Sequence, residues 1–192
     1  MKTFSISAVG KYRDTLTWRS LDGGTKSHEM PWRTNQVQDS GLKIVVSQLI
    51  GAPSMTSGSF SNVLPLRYMA VGSGDPTWDA VSPSAVSKDT AATTLLNETH
   101  RLALSADDFA FLDSSGIDLD PQALSARFMA RITLGADDAN GDLREFGLVG
   151  ASATSSLNTG LLFNWINHPL IQKDSSLVIT REVDISFSIY RG

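Results

Sequence analysis

From Ser176 to Tyr190 the chain reads Ser-Leu-Val-Ile-Thr-Arg-Glu-Val-Asp-Ile-Ser-Phe-Ser-Ile-Tyr, and this alternation restricts the fold more than any other stretch. Leu177, Ile179, Val183, Ile185, Phe187 and Ile189 occupy odd positions, while Thr180, Glu182, Asp184, Ser186 and Ser188 occupy even ones. Successive side chains of a strand point to opposite faces, so the pattern predicts a long strand with one dry and one wet side. Arg181 alone interrupts the apolar row, and Val178 and Tyr190 add apolar area to the wet side. The C-terminal end is therefore expected inside a sheet, and no chemical motif elsewhere is as strong as this architectural one.

The 192 residues suffice for one domain, or one domain plus an arm, with a core that needs no covalent staples. Glycine, serine, threonine, aspartate and asparagine recur in clusters, as turns of a β-rich protein require. With no cysteine there are no disulfides, thiolate nucleophiles or cysteine-ligated metals, and a reducing compartment is expected. The net charge of −4 and the scattering of Lys and Arg argue against a nucleic-acid partner, which needs clustered cations. The N-terminus alternates and lacks the continuous apolar core of a signal peptide. No apolar run approaches the ~20 residues of a membrane-spanning helix, so no membrane partner is expected. The product is read as soluble, unprocessed and made in the cytoplasm.

Along the chain, Phe4, Ile6 and Ala8 mark a short first strand, and Thr15 to Ser20 is read as a second pairing with it. Leu21-Asp22-Gly23-Gly24 is a turn, and Lys26 to Arg33 reads as a loop or extended arm. Between residues 39 and 50 lies the one expected α-helix, capped by Asp39 or Ser40, with Leu42, Val45, Val46 and Leu49 on one face and Gly51 and Pro53 as its stop. Ala52 to Leu64 and Val81 to Thr94 read as Gly/Ser-rich loops, with a buried strand from Leu66 to Val71 between them. Leu95 to Glu98 reads as a helical turn, followed by short strands at His100–Leu104 and Phe109–Leu112. Ser125 to Leu134 is a second alternating strand. The turn Ala136 to Asp142, built around Asn140-Gly141, is expected to return it as a hairpin with Leu143 to Val149. His168-Pro169 is read as a break before the final strand. The expectation is a mainly β protein: an antiparallel β-sandwich with one helix, an N-terminal hairpin or arm over 1–34 and the sandwich domain over 35–192.

Candidate chemistry is sparse. Asp137, Asp138, Asn140 and Asp142 form the one dense oxygen-ligand cluster, but calcium loops of the helix–loop–helix type end in a bidentate acid between helices, and Asn-Gly is what a hairpin asks for. His28, His100 and His168 lack metal-ligand spacing. No Gly-x-Ser-x-Gly elbow is present. Glu98 and Glu145 are the one carboxylate pair conceivable for glycoside hydrolysis, yet nothing in the sequence unites them, and each reads as a charge at an element end. Gly72-Ser73-Gly74 lacks the Lys-Ser/Thr of a phosphate-binding loop. No cofactor, metal or catalytic residue is assigned. Trp165 sits in an apolar run and is expected in the core, whereas Trp32 and Trp78 sit in loop-like segments and are the interface candidates.

The order of local patterns carries a resemblance. Asn35…Asp39-Ser40-Gly41-Leu42 precedes the helix. Tyr68-Met69-Ala70-Val71-Gly72-Ser73-Gly74 is followed by Thr94-Leu95-Leu96-Asn97-Glu98-Thr99-His100-Arg101. Asn140-Gly141-Asp142-Leu143-Arg144-Glu145-Phe146-Gly147-Leu148, Phe163, His168-Pro169-Leu170-Ile171-Gln172-Lys173 and the terminal strand complete the series. From Asn35 to Gly192 the chain resembles a class of tailed-bacteriophage virion proteins in which these segments recur in this order. The resemblance implies a structural subunit of the tail, baseplate or fibre attachment. Its partners would be other virion proteins and copies of itself, and its location the virion. In this reading Glu98 pairs with Arg101 or caps a short helix, and Glu145 pairs across the hairpin with Arg131 or Arg127.

Other functions are weighed beside it. One is a capsid decoration (cement) protein. Another is a carbohydrate-binding or hydrolytic module for the host surface acting through Asp137, Asp138 or Asp142. The last is a non-viral binding module. An assembly role requires a large, specific, often symmetric interface, for which Gly/Ser-rich segments that order on a neighbour are suited.

Overall fold

The computed structural model describes residues 4–49, 53–56, 59–62, 64–86, 89–119 and 125–191. In chain order these form β1 (Phe4–Arg19), β2 (Thr25–Glu29), β3 (Arg33–Val37), α1 (Asp39–Leu49), β4 (Pro53–Thr56), β5 (Ser59–Asn62), β6 (Leu64–Gly72), β7 (Glu98–Ala103), β8 (Phe109–Phe111), β9 (Arg127–Leu134), β10 (Gly141–Ala151), β11 (Leu161–Leu162), β12 (Asn164–Lys173) and β13 (Leu177–Arg191). Single 3-10 turns occupy Pro76–Ala80, Pro83–Ala85 and Ala106–Asp108. All strand pairings are antiparallel. The mainly β, antiparallel class with one helix is thus observed. Two sheets packed face to face are not established by these pairings, so the sandwich part of the expectation is not carried forward.

The chain divides into two compact units. The first comprises Met1–Asn35, Ser105–Gly135 and Leu177–Gly192; the second comprises Gln36–Leu104 and Ala136–Ser176. The 34/35 boundary expected from sequence falls within β3. Residues Arg33, Thr34 and Asn35 of that strand pair with β1, and Gln36 and Val37 pair with β12.

In the first unit, β13 is the central ribbon. It pairs with β1 from Phe4↔Arg191 to Trp18↔Leu177, and on its other side with β9 from Ile179↔Leu134 to Ser186↔Arg127. The N-terminal segment is one 16-residue strand rather than two short ones, because the long partner offers a continuous edge to hydrogen-bond. Segment 26–33, read as a loop, instead begins with β2, which folds back on Thr15–Arg19 through a turn at Ser20–Gly24. On the odd row of β13, Ile179, Val183 and Ile185 are buried with Tyr12, Ile132 and Leu134, whereas Leu177 and Phe187 are half-buried; the even row is not uniformly wet, since Glu182 and Asp184 are buried in ion pairs. Arg181 fits the odd row because Asp14, directly opposite on β1, grips it bidentately at 2.6 and 2.7 Å. The Ile189 and Tyr190 side chains lie outside the described set.

The second unit is built on β10, which pairs with β12, β6 and β11; β7 pairs with the far side of β6. β10 does not return onto β9, so the expected Asn-Gly hairpin is corrected: an adjacent turn sets where two strands end, while burial chooses their partners. Met69, Val71, Phe146, Leu148, Leu162 and Ile166 fill the core. Pro169 does not break β12. The register slips between Leu143 and Glu145 of the partner strand, and an irregularity there accommodates a residue with no N–H to donate. α1 is held by its first turn, where Ser40 donates to Leu162 O at 2.5 Å and Asp39 accepts from Thr90 Oγ1 at 3.2 Å. Gly41 is required there, since a Cβ would come within 2.3 Å of Phe163 O. The side chains of Val46 and Leu49 lie outside the described set. Much of the loop expected at 52–64 is a second corrected segment: β4 and β5 pair there from Pro53↔Asn62 to Thr56↔Ser59, while Ala52 and Val63 lie outside the described residues. Leu95 to Asn97 is extended or bent rather than helical, and Glu98 opens β7.

Candidate functional site

In the second unit the Gly72–Gly74 loop, the Asn97–Arg101 segment and the Arg144–Glu145 stretch meet in one polar framework. Asn97 N–H donates to Glu145 Oε1 at 2.8 Å, and Trp165 Nε1–H donates to Glu145 Oε2 at 2.9 Å, deep in the core. Asn97 Nδ2 donates to Ser73 Oγ at 2.6 Å, and Ser73 N–H to Asn97 O at 3.0 Å. Gly72 allows this approach, because a Cβ there would lie 2.4 Å from Asn97 O and 2.9 Å from Glu145 Oε1. Gly74 adopts a φ of +55° while Trp78 covers it. Arg144 clamps the same loop, donating to Ser73 O and bidentately to Asp79 at 2.8 and 2.9 Å. That hydrogen bond holds the Asp79 carboxyl below its ordinary pKa. The Gly-Ser-Gly loop therefore receives the framework's own side chains.

Glu98 and Arg101 form a nearly inaccessible pair with bidentate contacts of 2.6 and 2.8 Å. Glu98 also accepts from Asn158 N–H at 2.7 Å, and Arg101 donates to Thr154 O and Thr159 Oγ1. The guanidinium lies 5.3 Å from the Tyr68 ring centroid. The pair thus pins the 154–159 loop over β7. Glu145 does not pair with Arg131 or Arg127, which instead hold Glu182 and Asp184 in the first unit. Both oxygens of Glu98 and of Glu145 accept internal hydrogen bonds. Sequence spacing missed the Asn158 and Trp165 contacts because neither partner is near in the chain.

The acidic turn lies among basic side chains. Asp142 meets Arg144 at 3.3 Å, Asp138 lies 4.0 Å from His100 Nε2, and Lys173 Nζ donates to Asn140 Oδ1 at 3.0 Å. No group of three or more His, Cys, Asp or Glu suited to a metal ion occurs among the described residues. His28 is exposed on β2, and His168 is buried with its ring 5.9 Å from that of Phe146.

The two interface candidates differ. Trp32 in the first unit is 39% exposed, with the Arg13 guanidinium 4.8 Å from its ring centroid. Trp78 in the second is half-buried and packs edge-on against Trp165 at 5.8 Å, joined to the core around Ala70 and Leu162. Trp18 and Leu21 add exposed apolar area to the β1–β2 hairpin, whose second strand is exposed along its whole length. On the opposite face of β1, charges form rungs: Glu29 and Glu182 both contact Arg13, and Arg131 contacts Glu182. Burial resists ionisation of Glu182, but Arg13 and Arg131 outweigh it and hold its pKa below the ordinary value. Beside these rungs lies a groove of about 370 Å³ lined by Lys11, Asp113, Ser125, Arg127, Asp184 and Phe187, among others. Arg127 is engaged there by Asp184 and by Asp113 O and Ser114 O. No helix among the described residues is long and apolar enough to cross a membrane. Compared with protein-family models, curated proteins and solved structures, the chain matches none of them.

Proposed function

We propose that the chain is a structural subunit of a tailed-bacteriophage virion, in the tail, the baseplate or the fibre attachment, working by assembly with copies of itself and companion proteins rather than by turnover. The observation that carries this reading is the internal use of the motif residues. Asn97, Glu98, Arg101, Arg144 and Glu145, the polar positions of the recurring segments, hydrogen-bond to one another and to their loops. A motif set devoted to holding a scaffold suits a protein whose product is a surface. Exposed apolar area on the β1–β2 hairpin comes from Trp18 and Leu21, and Trp32 adds a half-exposed ring beside the Arg13–Glu29 pair. Large amphipathic side chains ringed by polar groups are the usual anchors of protein interfaces.

The reading is tested on purified phage particles whose genome encodes the chain. Peptide mass spectrometry is expected to find it in the particles, and antibody labelling to place it at the tail. Labelling over the capsid surface would transfer the protein to the decoration class. Absence from particles, despite abundance in the infected lysate, would overturn a virion role.

A further inference from the structure

We propose that Lys173 and Asn140 are the reactive pair of an intramolecular isopeptide bond joining the end of β12 to the turn that precedes β10. The inference does not depend on the virion reading. It begins with register: Gly141 and Lys173 are cross-strand partners, which brings the lysine to the residue just before Gly141. Lys173 Nζ lies 3.0 Å from Asn140 Oδ1, with Ala136 O at 3.3 Å and Asp174 O at 3.5 Å. The lysine is only 3% exposed, whereas Asn140 is at the surface. Its stem is thus fixed by packing, and the amine is delivered to one side-chain amide. Such placement replaces a diffusional encounter with a held one, the main requirement for a slow amide exchange to proceed unaided.

Two opposed electrostatic effects act on the amine. Burial lowers the Lys173 pKa and favours the neutral amine, which is the nucleophilic form. Asp138 exerts the strongest opposing pull, ahead of Asp174 and Asp137. Asp138, the carboxylate with the strongest pull on Nζ, is the group assigned the proton transfer in this proposal. In the step, the Lys173 Nζ lone pair attacks Asn140 Cγ and the new C–N bond forms. Asp138 takes a proton from Nζ and passes it to the departing nitrogen. The Cγ–Nδ2 bond breaks and ammonia leaves, so no oxidant or co-reactant is needed. The product ties together positions 33 residues apart. It constrains the unfolded chain as any long-loop cross-link does.

The test is the mass of the purified full-length chain, followed by tryptic peptide sequencing. The expected result is a species lighter by one ammonia, with Lys173 resistant to trypsin and a branched peptide joining it to Asn140. Lys173→Arg keeps the cation and its hydrogen bonds but removes the nucleophile, and Asn140→Ala removes the acceptor carbon; each is expected to abolish the branched peptide. Asp138→Asn is expected to slow its accumulation. A chain of unmodified mass whose Lys173 is cleaved normally after prolonged incubation would overturn the proposal and leave Lys173 as an ammonium clamp. So would an ammonia loss that persists in Lys173→Arg, because that is an Asn140–Gly141 imide.

Discussion

The two units handle buried charge in different ways. In the first, the central ion pairs follow from strand register: Asp14 faces Arg181, and Arg13 and Arg131 flank Glu182 from the strands on either side, while Arg127 reaches Asp184 diagonally. In the second, the buried polar groups are joined across loops. Asn97 reaches Glu145, Arg144 reaches Asp79 and Arg101 reaches Thr154 and Thr159. A ladder pair is a local unit that two substitutions can replace. At Glu145 and Glu98 the loop framework has no such single partner to change, since each also answers a backbone N–H. The comparison teaches that polar residues in similar β surroundings serve register in one place and loop placement in the other.

The largest effect that would break this contrast concerns the first unit. Arg181→Met strands Asp14 in a dry row and is expected to cost about 3–5 kcal/mol. Adding Asp14→Leu is expected to recover most of it, as a double-mutant cycle in urea would measure. Failure to recover would mean that the pair is not a replaceable unit. Next comes Glu145→Leu in the second unit, which deprives Trp165 Nε1 and Asn97 N–H of their acceptor. A loss of about 2–3 kcal/mol is expected from one buried and one part-buried donor left unpaired. The companion change Trp165→Phe is expected to restore less than half, because the Asn97 donor remains; full restoration would make this framework as separable as a ladder pair.

The smallest effect sharpens the comparison by pH. Glu182 has a folded pKa below its ordinary 4.5, so the folded state binds fewer protons than the unfolded one between those two values. Its contribution is present above the ordinary value and is lost as pH falls through the folded one. Stability against urea is therefore expected to decline below about pH 4.5, with a shallower decline in Glu182→Gln. Superimposable acid limbs would show that the rung is not coupled to folding.

Much of the local architecture was legible in the residues themselves. Alternation in 177–190 predicts β13, that in 125–134 predicts β9, and Asp39-Ser40 marks the start of α1, because periodicity and capping act over a few residues; the stop expected at Gly51 lies outside the described residues. The Glu98–Arg101 pair was legible for the same reason of proximity. Three things were decided only by tertiary structure. The strand after the Asn140-Gly141 turn joins β6 and β12 instead of β9, since a turn specifies a reversal and not the edge that receives it. Glu145 answers Trp165 and Asn97, residues that no spacing rule connects to it. Arg181, an exception in an apolar row, becomes regular once β1 brings Asp14 opposite. In the first case the deciding quantity is apolar burial, and in the other two it is the desolvation of a polar group. That cost is set by which distant segment closes over the group, so the chain determines its strands locally while the folded core assigns their partners.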